Sequence, residues 1–343
     1  MTLPARRRLQ FASAIFATLL LFAAVLLTGG VPIPARDVLG ALLGDEGVKA
    51  SWRTIVVEAR LPFAVTALLA GAALSVAGLM LQTTFRNPLA GPSIMGISSG
   101  ASLGVAVIVL SVGCLGLTGG SLAMGSAIVG ALLGAAAILL LLSLFSSVLK
   151  STLGLLIIGI MISYLSNSLV SLLNFFAPAE GVRNFMLWGM GSFSAVTLRE
   201  LPWMALAVTA MLAASCLVAK PLNAMLLGDR YMATMGYRVA RTRSLILLIS
   251  GTLTAVATAF CGPIGFIGLV VPHIARLLFS TSMHNVLLPG CIVLGAATAL
   301  LCALLSVLPA SAGIIPINII TPIIGVPVIV YIMVNSRKLK YFN

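Results

Sequence analysis

The sequence predicts an all-α membrane protein: one polytopic domain of ten transmembrane helices. Three observations carry that expectation. Of the 343 residues, 60% are hydrophobic and only 8% are charged, more apolar side chain than a water-soluble fold of this length can bury. The apolar residues come in runs of about 20, the length that crosses a hydrocarbon core as helix. Runs such as 128–142 and 153–162 do not alternate, so the ten-residue strands of a membrane barrel are excluded. The net charge of +13 sits in the gaps between the runs. It therefore reads as membrane orientation and excludes nucleic-acid binding.

The expected spans lie at about 9–29, 61–82, 94–112, 121–142, 152–176, 201–218, 244–261, 264–280, 286–308 and 315–334. The first follows Arg6, Arg7 and Arg8. It is longer than the core of a signal peptide and no small-x-small cleavage site follows it, so it is expected to be retained. Ten crossings put both termini in the cytoplasm. Charge tests that count. On the inside fall Arg6, Arg7, Arg8, Arg86, Lys150, Lys220, Arg230, Arg238, Arg241, Arg243, Arg276, Arg337, Lys338 and Lys340. On the outside fall Arg36, Lys49, Arg53, Arg60, Arg183 and Arg199, giving 14 against 6 out of 20. That asymmetry obeys the positive-inside rule.

Three gaps are long enough to hold structure: 30–60 and 177–200 outside, and 219–243 inside. Glycines at helical spacing (Gly96, Gly100 and Gly104 in one span, Gly130 and Gly134 in another) let helix backbones approach closely in lipid, either within the chain or at a dimer seam. A weak internal repeat joins 71–75, leading to Gly91-Pro92, with 251–255, leading to Gly262-Pro263. Such matched interruptions suggest inverted halves, with the first break near the inner face and the second near the outer. Asn87, Pro88, Gly262 and Pro263 are accordingly expected on a translocation path, because broken backbone at membrane depth needs protein or a cavity around it. The five cysteines read as small buried hydrophobes, and His273 and His284 lack a second ligand at metal-binding spacing.

Several chemistries are absent from the sequence. No lysine follows a glycine, so there is no phosphate loop and no ATP hydrolysis by that route. All seven acids lie in the gaps. Ion-coupled carriers usually keep charged groups at mid-span, where they are expensive. The driving force is therefore expected from elsewhere, and no cofactor or metal is expected on this chain. A stand-alone channel or carrier is the rival reading.

In the inner gap, Asp229 reads as an N-cap and Gly236 as a C-terminal stop. Tyr231, Met232 and Met235 between them could share one face. An apolar patch on a cytosolic helix makes sense under a partner protein; a helix lying on the lipid interface is the alternative.

At these motifs the chain resembles the permease subunits of bacterial ATP-binding cassette (ABC) importers for iron–siderophores, haem and vitamin B12. The resemblance runs over 60–334. It rests on Arg60-Leu61-Pro62, the stretches 71–78 and 86–92 with Gln82, and 96–101. It continues through Pro221-Leu222-Asn223, Leu227-Gly228-Asp229 with Met235-Gly236, 262–276, and Ile324-Gly325-Val326-Pro327. It implies a homodimer in the bacterial inner membrane with the type II importer permease fold. Two cytosolic ATPase subunits, holding ATP and Mg, would dock on Asp229, Tyr231, Met232, Met235 and Gly236. A substrate-binding protein, periplasmic or lipid-anchored, would dock outside, where Arg60 matches a family position. The family's next arginine is Phe63 here, and no arginine precedes the final span, so Arg53 and Arg183 are the expected substitutes. The family's inner gate points to Ser151 and Thr152, which also read as ordinary helix-start residues. The family's Glu-Leu-Pro-x-Gly before the last span becomes Ile315-Pro316-Ile317-Asn318. The expected cargo is an iron chelate, haem or siderophore, with vitamin B12 as the alternative.

Overall fold

The computed structural model describes residues 5–114, 120–148, 152–308 and 313–335, and among them every regular element is helical. The first half runs α1 (Ala5–Leu27), α2 (Ala35–Leu43), α3 (Ala50–Thr54), α4 (Leu61–Phe85), α5 (Ile97–Cys114), α6 (Gly120–Val148), α7 (Thr152–Phe176) and α8 (Ala179–Gly189). The second half runs α9 (Leu201–Leu217), α10 (Ala219–Leu227), α11 (Asp229–Thr234), α12 (Val239–Cys261), α13 (Ile267–Phe279), α14 (His284–Val307) and α15 (Ile317–Asn335). A π-helical stretch, Ile55–Arg60, fuses α3 and α4 into one rod, Ala50–Phe85.

Each of the ten expected intervals holds a helix. Among the described residues six helices are long and apolar enough to cross a membrane, and α9 with α10, bent by 51°, makes a seventh. The interval at 264–280 holds only the 13 residues of α13. At 1.5 Å per residue that is about 20 Å, well short of a hydrocarbon core of about 30 Å.

The core is built around α4, which is buried on nearly every side. It carries no charge, and its small residues let neighbouring backbones touch it. A Cβ on Gly71 would collide with the Gly295 carbonyl of α14, and one on Gly78 with the Gly268 carbonyl of α13. Ser75 donates to the Cys291 carbonyl at 2.6 Å, satisfying its hydroxyl in the apolar interior. The glycine stripes of α5 and α6 meet each other: Gly104 faces the Gly130 carbonyl and Gly134 the Gly100 carbonyl. Of the two readings, the close approach is within the chain.

All three gaps hold helices. The inner gap folds as two short helices, α10 and α11, joined at Gly228 with φ +110°. The outer gaps hold α2, α3 and α8. Arg60, expected on the outer face, is instead buried. Its guanidinium donates to the carbonyls of Leu26 (2.9 Å), Leu27 (3.1 Å) and Val31 (2.5 Å). It thereby satisfies carbonyls left open at the C-terminal end of α1 and favours that end electrostatically.

Candidate functional site

The chain breaks twice at Gly-Pro, and the two breaks converge. After α4 the backbone turns at Arg86 (φ +46°) and returns inward through a 3₁₀ turn, Pro92–Met95, before starting α5. After α12 it turns at Gly262 (φ +76°) and re-enters to start α13. Gly268 packs against Pro92 and against the Leu74 carbonyl, halfway along α4. Gly91, Pro92 and Ser93 from one break and Ile264, Gly265 and Phe266 from the other therefore line one cavity of about 130 Å³. The breaks meet at the same level rather than lying at opposite faces. From that level α5 and α13 leave in opposite directions, as inverted halves require, each with its positive N-terminal end toward the middle.

The four expected path residues sit at the far ends of the breaks, not where they meet. Asn87 and Pro88 are at the inner end, where the Pro88 carbonyl bonds His273 Nε2 at 2.8 Å. Gly262 is pressed against the Trp188 carbonyl, where no Cβ fits. The Pro263 carbonyl accepts from Asn318 Nδ2 at 2.5 Å. Asn318 also donates to the Gly189 carbonyl and accepts from Gly265 N–H at 3.1 Å. It pins the outer break to the outer segment, a role hidden in the sequence by its place in a departure from the family pattern.

The central cavity shares Ser93 with a groove of about 400 Å³ along α7, lined by Ile94, Ser99, Ile160, Ser163, Tyr164 and Asn167. On α7, Tyr164, Asn167 and Ser171 are exposed. Ser163, Asn167 and Ser171 recur every fourth residue, so they form one polar stripe along a mainly apolar helix. Lipid tails cannot hydrogen-bond an asparagine, so this face needs water or a second protein surface. The 163/167/171 spacing was the available sequence signal, and the sequence reading missed it. Thr152 begins α7; Ser151, its expected gate partner, lies outside the described residues.

At the inner face Asp229 is not the N-cap. Gly228 takes that position, and Asp229 opens α11 with its carboxylate free to bind elsewhere. It bonds Arg86 Nη2 at 2.8 Å and Arg243 Nη2 at 3.1 Å. One carboxylate thus ties α11 to the ends of α4 and α12, the two matching helices of the repeat. Gly236 (φ +86°) ends the turn as expected. Tyr231 and Met235 are exposed, but Met232 is fully buried, so the three do not share one face. Leu226 and Leu227 extend the exposed apolar patch. At the outer face Arg53 and Arg183 are exposed and Arg60 is not.

A membrane chain that is helical throughout its described residues, with two converging chain breaks and an uncharged polar groove, defines a class: a permease. The FecCD transport family model matches residues 17–335, and the chain belongs to that family. Its relatives include the vitamin B12 import system permease of Klebsiella pneumoniae, 36% identical over 293 residues, covering 85% of this chain and 86% of that protein. The Escherichia coli O9:H4 protein of the same name is 35% identical, covering 82% and 84%. Among solved structures, an inward-facing metal-chelate type ABC transporter matches with a TM-score of 0.79 at 28% identity. It covers 95% of this chain and 99% of that one. The chain is thus a multi-pass ABC importer permease. The two sequence relatives are named for vitamin B12 and the solved structure for a metal chelate, so they fit the vitamin B12 alternative better than the expected iron chelate.

Proposed function

We propose that this chain is the membrane subunit of an ATP-driven, binding-protein-dependent importer for vitamin B12. It acts as a homodimer in a bacterial inner membrane, crossing ten times with both termini cytoplasmic. The observation that carries the transport reading is the uncharged polar stripe of α7 beside the converging breaks. A second copy facing that stripe would enclose a channel of hydroxyls, amides and a tyrosine. Such walls give a bulky chelate many weak contacts and no deep trap, and hold no proton-carrying group to couple to a gradient. Ser151 and Thr152, where α7 begins, would close the inner end.

The energy would come from two ATPase subunits that hold ATP and Mg; this chain itself binds neither cofactor nor metal. Their docking surface is Tyr231, Met235, Leu226 and Leu227, with Asp229 passing force to α4 and α12. Arg53 and Arg183 would meet the binding protein, and Arg60 fastens α1. The vitamin B12 names of the relatives support that cargo over haem or siderophore.

The test is uptake into proteoliposomes holding the permease, its ATPase and its binding protein. Labelled cobalamin should accumulate only with ATP. Accumulation of haem or a ferric siderophore in its place would refute the cargo. Uphill uptake without nucleotide would refute the energy source.

A further inference from the structure

A second cavity, of about 440 Å³, opens at the inner end of the molecule between α4, α10, α13 and the start of α14. None of its lining belongs to α5 or α7, so it is separate from the proposed path. Its polar wall is Gln82, Thr83, Arg86, Asn87, Arg276, Ser282 and His284, and Leu226 and Leu227 form an apolar flank.

The hydrogen bonds in this wall are one-sided. The acceptors are used: Gln82 Oε1 takes Arg276 Nη1 at 2.7 Å, and Asn87 Oδ1 takes Leu89 N–H at 2.9 Å. Asn223 Oδ1 accepts His284 N–H and, at 2.9 Å, its Nδ1, so the Nδ1 proton is placed there and Nε2 accepts from Thr83 at 2.7 Å. The donors are not used up. Arg276 spends one nitrogen on Gln82, and among the described residues Asn87 Nδ2 and the Ser282 hydroxyl meet no acceptor in the wall. No carboxylate lines the cavity. The nearby carboxylate, Asp229, already serves both Arg86 and Arg243. Of the two guanidiniums in the wall, Arg86 has Asp229 and Arg276 faces no carboxylate there, so the wall carries excess positive charge. Partly buried cations of this kind call for an anion, and a guanidinium with free N–H groups suits phosphate oxygens.

We propose that this cavity binds the phosphate head group of an anionic phospholipid of the cytoplasmic leaflet, with Arg276 as its principal ligand. Asn87 and Ser282 complete the cradle. Basic pockets between helices on the cytoplasmic side are where such head groups bind. The site would join the bilayer to the inner end of α13 and to the α10–α11 corner.

Native mass spectrometry of the detergent-purified chain, exchanged with phosphatidylglycerol or phosphatidylcholine, tests the site. Phosphatidylglycerol should be retained in preference. Arg276→Gln should lower that retention about tenfold, the weight of one charge-assisted hydrogen bond. Arg241→Gln, at an exposed inner arginine outside the cavity, should leave it unchanged. A matching melting temperature shows that Arg276→Gln is folded. If it is not, Ser282→Ala serves instead, with a loss of about threefold. Displacement of the lipid by excess inorganic phosphate, with phosphate itself retained, would assign the same cradle to free phosphate rather than lipid. Equal retention of both lipids, or retention unaffected by Arg276→Gln, overturns the proposal. So does an empty cavity in every arm, the result expected if an ATPase carboxylate answers these cations.

Discussion

The two Gly-Pro breaks are alike in motif and opposite in how they are fastened. The inner break is held in large part by charged side chains: Gln82 on Arg276 and Arg86 on Asp229 of α11, with the Pro88 carbonyl on the buried His273. The outer break is held by neutral amides, above all Asn318, whose side chain bonds the backbone at Gly189, Pro263 and Gly265. One break is tied to α11 and the other to the end of α8. A repeated backbone motif is thus fastened in two different ways, because the asymmetry lies in the side chains that tie it down.

The comparison breaks first at the point the two halves share. Gly78→Leu would drive a side chain into the Gly268 carbonyl and should cost about 3 kcal/mol or more, read as loss of folded protein by size-exclusion chromatography. Next is the core beneath α11. Met232→Ala should destabilise by about 2–5 kcal/mol in a thermal melt. Met235→Glu, on the exposed face, should leave the melt unchanged and abolish ATP-coupled uptake. If Met235→Glu transports normally, the docking surface is elsewhere.

Loosening the outer fastening alone comes third. Asn318→Ala should cost about 1–3 kcal/mol by leaving the backbone groups of the break unpaired. Hydrogen exchange should rise at 262–266 and stay constant at 86–96. Exchange rising equally in both would show that the breaks are not independently held. The smallest effect separates a fastener from a docking residue. Arg60→Gln should lower the melt by about 1–2 kcal/mol with binding-protein affinity unchanged. Arg53→Glu should do the reverse.

The architecture was legible because lipid imposes a coarse rule that composition obeys: apolar runs of bilayer length, with cations between them. Helices accordingly stand in the expected intervals. What escaped was set by tertiary contact. Met232 follows Tyr231 by one residue, and a step of 100° was enough to turn it inward. Arg60 reads as an outer-face arginine, but the unsatisfied carbonyls of α1 claim it. Asp229 looks like a cap, yet two arginines from distant sequence compete for its oxygens. The half-length of α13 and the convergence of the breaks depend on Gly78 and Gly268 touching, and no periodicity records a contact of that range. The α7 stripe was present as a spacing of four, masked by the hydrophobic residues around it.

The grip of Asp229 is uneven. Its contact to Arg243 is sheltered, with that arginine's side chain 3% exposed, while the one to Arg86 is half in water at 50%. Dissolved ions weaken the wet bond and scarcely reach the dry one. Under load the wet latch should slip first. The tug of a cytosolic motor would then stay with the helix that begins at Val239, while the one ending at Phe85 is briefly released.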